Sequence, residues 1–153
     1  MVELFAGLVL YLVVGVGICA AALILGGPDE RSGARGLLAA AIATEAASVL
    51  GGTHWQGANW LVLVVDLAFL AWLLRLICRS TRFWPIWAAA GQLAGVVAHL
   101  PAILIPDFSK RMYILSQPVW VIPILAALLV GTLKASSRRG KRGGTAAASR
   151  HPS

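Results

Sequence analysis

Apolar residues in this chain come in long unbroken runs, with no strict apolar–polar alternation. Five runs stand out, at residues 4–26, 36–52, 60–78, 83–105 and 112–133. A membrane-spanning helix needs about 20 mostly apolar residues, and four of the five runs meet that length. The run 36–52 is the shortest, is Ala-rich, and carries Thr44, Glu45 and Ser48. Gly27-Pro28-Asp29-Glu30-Arg31 reads as a turn after the first run, and Pro106-Asp107 closes the fourth. A transmembrane β-barrel would show alternation with a period of two residues. The pattern therefore predicts an all-α fold, a polytopic transmembrane helix bundle of five spans forming one domain over residues 1–133. Pro101, Pro118 and Pro123 are expected to interrupt the fourth and fifth runs. Residues 134–153 are rich in Ser, Gly, Ala, Arg and Lys and are expected to form a disordered tail.

Composition agrees with lipid as the solvent. Hydrophobic residues make up 59% of the 153 residues and charged ones 12%, against about 25% charged in soluble domains. Too few polar residues remain to cover a soluble core. In lipid, helices satisfy their own backbone groups. The first residues carry no positive charge and lead into a long apolar run, unlike a secretory signal peptide. Cys19 and Cys78 lie in apolar runs without a C-x-x-C pairing and read as small hydrophobes, not as a disulfide.

The net charge of +7 is unevenly spread. Lys and Arg near span ends collect on the cytoplasmic side. Five spans with the N-terminus outside put eleven of them there: Arg31, Arg35, Arg75, Arg79, Arg82, Lys134, Arg138, Arg139, Lys141, Arg142 and Arg150. Only Lys110 and Arg111 remain outside. If the run 36–52 merely dips into the membrane, the split falls to nine against four, with the tail still inside. Trp55 and Trp60 then sit at the outer interface, and Phe83, Trp84 and Trp87 at the inner one. Arg138, Arg139, Lys141 and Arg142 are expected to contact anionic lipid headgroups. Without interleaved aromatics, the basic tail does not read as a nucleic-acid binder.

Candidate chemistry rests on a few polar residues within the runs. Glu45, Asp66, His99 and Gln117 fall on four different runs, five to seven residues from the predicted outer ends. They are therefore roughly 7–11 Å deep at about 1.5 Å per residue. Gln92, Gly95 and His99 share a helical face, as do Ala41, Glu45, Ser48 and Gly52. Gly91 and Gly95 form a G-x-x-x-G packing motif. A charged carboxylate at mid-membrane costs about 2.5–3.5 kcal/mol on insertion scales. Glu45 and Asp66 must therefore be neutral, paired or hydrated, and His99 is the basic group at their depth. Three readings stay open. The cluster binds or passes a proton, an ion or a small polar solute; it is structural glue; or the chain is an accessory or assembly subunit of a larger membrane complex. No catalytic motif occurs, so no enzyme is expected. His54, His99 and His151 form no ligand pattern, so neither a metal nor another cofactor is expected. The expected partners are the bilayer and either further copies of the chain or a larger membrane complex.

The stretch Arg82-Phe83-Trp84-Pro85-Ile86-Trp87-Ala88-Ala89-Ala90-Gly91-Gln92-Leu93, with His99 downstream, resembles a group of small uncharacterised multi-pass inner-membrane proteins of alphaproteobacteria. The resemblance covers the third to fifth runs, about half the chain. It implies a bacterial inner membrane and no particular activity.

The charge split fixes a testable orientation. A topology reporter appended after Ser153 should read cytoplasmic, and one inserted within residues 53–59 should read external. A cytoplasmic signal from the inserted reporter contradicts five spans.

Overall fold

The computed structural model describes residues 2–50, 60–104 and 110–148, with side chains described for 12–50, 60–101, 104 and 119–138. Among the described residues it contains helices and no strand. The elements are α1 (Val2–Leu25), α2 (Pro28–Leu50), α3 (Trp60–Arg79), α4 (Trp84–Val97), α5 (Leu100–Leu104) and α6 (Lys110–Ala148). Three described helical stretches are long and apolar enough to cross a membrane: Pro28–Leu50, Trp60–Arg79 and Val119–Arg138. A shorter apolar stretch, Leu12–Leu25, belongs to α1.

The helices pack in order around a ring. α1 lies on α2, α2 on α3, α3 on α4 and α4 on α6, and α6 closes the ring against α1. One buried cluster joins five of them, drawing Cys19 and Ala22 from α1, Ala34 from α2 and Phe69 and Leu73 from α3. Trp84 and Ala88 come from α4, and Ile124 and Leu128 from α6. Large apolar side chains face outward: Ile42, Val49, Leu104 and Leu133 are all exposed.

Three boundaries differ from those the hydrophobic runs predict. α2 starts at Pro28, eight residues before the apolar run does, so residues 28–31 are helix rather than turn. Pro suits the first helical position, where its missing N–H is not needed. The Gly27 carbonyl accepts from the Arg31 N–H at 3.0 Å. Glu30, three residues into the start, takes the Gly27 N–H on Oε2 at 2.9 Å, which is the reciprocal half of a capping box.

The fourth run splits into α4 and α5 at Ala98 and His99. Pro101 has no N–H to offer the Val97 carbonyl and its ring crowds that oxygen. The His99 N–H turns to the Val96 carbonyl at 3.1 Å, a tightened turn. The fifth run, by contrast, is one uninterrupted helix through Pro118 and Pro123. Pro123 lies against Gly91, which has no side chain to oppose the ring.

α6 also continues to Ala148, across most of the segment expected to be disordered. Ala135 is buried, so packing extends past Leu133. Once a helix is nucleated, each further residue adds a hydrogen bond at little cost, and Ala, Lys and Arg favour the helix.

Glycines set the closest approaches. Trp84 is wedged between Gly33 of α2 and Gly131 of α6; a methyl group at Gly131 would stand 2.5 Å from Trp84 Cδ1. Gly36 likewise admits the indole of Trp72. Gly17 has open space around it. Gly131→Ala should therefore destabilise by about 1–3 kcal/mol through overpacking. Gly17→Ala should be neutral or stabilising through helix propensity. Reversible unfolding in mixed micelles measures both.

Candidate functional site

Near the start of α3 and the end of α4, three polar side chains meet. Asp66 lies in the second turn of α3. Gln92 and His99 sit seven residues apart, two turns along one face of the fourth run. Gln92 Nε2 donates to Asp66 Oδ1 and to the Asp66 carbonyl oxygen, both at 3.1 Å. His99 Nε2 lies 2.8 Å from Asp66 Oδ2. Each carboxyl oxygen thus has its own partner. Gln92 cannot ionise, so it orients the carboxyl group and leaves Oδ2 aimed at the imidazole. His99 occupies the interruption imposed by Pro101, and the break in the helix aims its ring. His99 is 0% exposed, whereas the Asp66 side chain retains 21% exposure. The pair is closed on the histidine side and open on the aspartate side.

At this contact the donor and acceptor roles depend on the tautomer of the ring. A carboxylate can accept from an imidazole N–H, and a carboxylic acid can donate to a bare imidazole nitrogen; the heavy atoms stand alike in both cases. On α6, Trp120 packs against Gly95 of α4. The Trp120 indole N–H is buried without a hydrogen-bond partner among the described residues.

Other residues singled out by the sequence fall elsewhere. Glu45 is exposed on the outer face of α2, and Ala41 with it. The face of α2 toward α3 is carried by Gly36, Ala40 and Ala43, with Ala47 buried further along. Glu45 precedes Ala47 by two residues, about 200° around a helix, so it points away. Ser48 donates to the Thr44 carbonyl at 2.8 Å, satisfying itself within α2. Gly91 and Gly95 face α6, against Pro123, Ile124 and Trp120. The G-x-x-x-G face and the Gln92–His99 face are therefore separate sides of α4. Arg138 is exposed and borders a groove. The side chains of Gln117, Arg139, Lys141 and Arg142 lie outside the described residues, as do His54, Trp55, Asn59 and His151. Both cysteines are free, Cys19 buried and Cys78 exposed. Among the described residues no three His, Cys, Asp or Glu side chains are grouped to hold a metal.

At the opposite end of the bundle a buried carboxyl group belongs to Glu30, in the segment that the sequence pattern assigns to a turn. Glu30 is 1% exposed. Its Oε1 accepts from Trp84 Nε1 at 3.1 Å, and its Oε2 from the Gly27 N–H. Asp29 Oδ2 accepts from Ser80 Oγ at 2.6 Å, tying the start of α2 to the α3–α4 turn. Trp84 is therefore a core residue rather than an interfacial one, whereas Phe83 and Trp87 are exposed. The overlooked signal was the order Gly27-Pro28-Asp29-Glu30, a helix start with Pro first and Glu third.

These placements reverse the expected cost of two substitutions. Glu30→Leu should destabilise by about 1–3 kcal/mol, since it strands two buried N–H donors. Glu45→Leu should change stability by no more than about 0.5 kcal/mol. Unfolding in mixed micelles distinguishes them; a larger loss for Glu45→Leu would contradict its outward placement.

Compared with protein-family models, curated proteins and solved structures, the chain matches none.

Proposed function

We propose that the chain is a five-helix bundle spanning a bacterial inner membrane, N-terminus outside, that binds and exchanges a proton at Asp66 and His99. The apolar composition, the three helices long enough to span and the eleven-to-two charge split support the membrane reading and its direction. The observation that carries the function is the 2.8 Å contact between His99 Nε2 and Asp66 Oδ2, in which the imidazole is fully buried and the carboxyl group is open on one side.

An ionisable pair within a bundle is costly to keep in lipid, and such pairs mark proton and ion paths in membrane proteins. Histidine is the side chain whose ordinary charge change falls near neutral pH. A partly exposed aspartate supplies the entry side, and the buried imidazole the receiving one. Glu30 offers no such chemistry, because its two oxygens meet only an indole and a backbone N–H. A second reading, an accessory subunit of a larger complex, draws on the groove between α2 and α3. Its small residues Gly36, Ala39, Ala40 and Ala43 would admit a helix of another chain.

Proton counting tests the first reading. Purified wild-type protein stepped between about pH 5 and pH 8 should release more protons per chain than either Asp66→Asn or His99→Gln. Asn keeps the shape and hydrogen bonding of Asp66 without ionising, so Asp66→Asn should remain folded. Identical release from all three folded proteins would refute an exchangeable proton at the pair. Asp66→Leu should cost roughly 1–2 kcal/mol, the scale of hydrogen bonds between membrane helices.

A further inference from the structure

The basic end of the bundle carries a groove of about 490 Å³ between α4 and α6. One wall is a stripe along α6: Pro123, Ala127, Val130, Lys134 and Arg138 line it in that order. Their spacing of three or four residues keeps them on one helical face. The stripe is apolar for two turns and cationic for the next two. Arg82, from the α3–α4 turn, adds a third cation, and Trp87 with Phe83 flanks the apolar part.

Among the described residues no carboxylate pairs with Arg82, Lys134 or Arg138. Glu30 borders the groove, but it is 1% exposed and both its oxygens are taken by Trp84 and Gly27. Three cations thus stand at the end of an apolar trough whose length runs along the bundle. A soluble anion would use the cations and leave the trough empty. A neutral lipid would use the trough and leave three like charges unscreened.

We infer that this groove binds one anionic phospholipid, its phosphate among Arg82, Lys134 and Arg138 and an acyl chain along Pro123, Ala127 and Val130. The inference rests on the membrane reading above but not on the proton site. Arginine and lysine are both suited to a phosphate, arginine by its two-pronged donor geometry. The cationic end coincides with the end that the charge split assigns to the cytoplasm, where anionic lipid is concentrated.

Tryptophan quenching by brominated lipid tests it. The full chain is placed in bilayer discs of phosphatidylcholine with phosphatidylglycerol, with bromine on the acyl chains of one lipid or the other. Trp84 and Trp87 line the groove. Wild-type protein should be quenched preferentially by brominated phosphatidylglycerol. Replacing Arg82, Lys134 and Arg138 by Gln should lower that preference on the order of fivefold per cation. Arg75→Gln with Arg79→Gln, exposed cations outside the groove, should keep it, as should Asp66→Asn. Excess soluble glycerol phosphate should not reverse the quenching. Equal preference in wild-type and triple variant overturns the proposal. So does an equal loss in the Arg75/Arg79 control, which would mean general surface attraction, or displacement by glycerol phosphate, which would mean a soluble-anion site. Failure of the chain to enter the discs would remove the membrane reading and this site together.

Discussion

The hydrogen bond from the Trp84 indole to the buried Glu30 carboxyl group is the contact on which the rest of the arrangement depends. Glu30 lies in the first turn of α2, and its second oxygen holds the Gly27 N–H at the α1–α2 turn. Trp84 opens α4 and is clasped by Gly33 on one side and Gly131 of α6 on the other. Four helices are thereby indexed at one end by a single pair of side chains. An acidic group in an apolar interior is tolerated only when its oxygens are satisfied, and an indole N–H there needs an acceptor. Each group meets the other's requirement, and neither could be replaced alone without stranding its partner.

With that end fixed, the rotation of each helix follows. α2 must turn Gly33 to Trp84, and its helical pitch then brings Gly36 under Trp72 and carries Glu45 outward. α4 must start at Trp84, which places Gly91 and Gly95 against α6 and leaves Gln92 for α3. The polar contact at the far end lies eight residues beyond Trp84 at Gln92 and fifteen at His99.

The carboxyl groups of Glu30 and Asp66 make a useful contrast. Glu30 is enclosed and bonded to neutral donors, a structural arrangement. Asp66 keeps an open side and faces a titratable ring. The same residue chemistry, placed in two environments of one bundle, supports two different roles. The Pro101 interruption sharpens the difference, since His99 sits in the tightened turn between α4 and α5.

Much of this was legible without a structure. Long apolar runs dictate helices because lipid-compatible segments must satisfy their own backbone, and α3 covers the run 60–78 without a break. Asp66, Gln92 and His99 stood out because a polar group in such a run is costly and must find a partner. Their depths could be counted from the run ends, at a fixed rise per residue. What the sequence could not decide was rotation about each helix axis. A depth count treats Glu45 and Asp66 alike, yet the small-residue face of α2 sends one outward while α3 turns the other toward His99. Nor could it separate Trp84 from Phe83 and Trp87, since an aromatic near a span end suits either an interface or a core. Only packing resolves that choice, because the space that admits Trp84 is made by two glycines about a hundred residues apart in the chain.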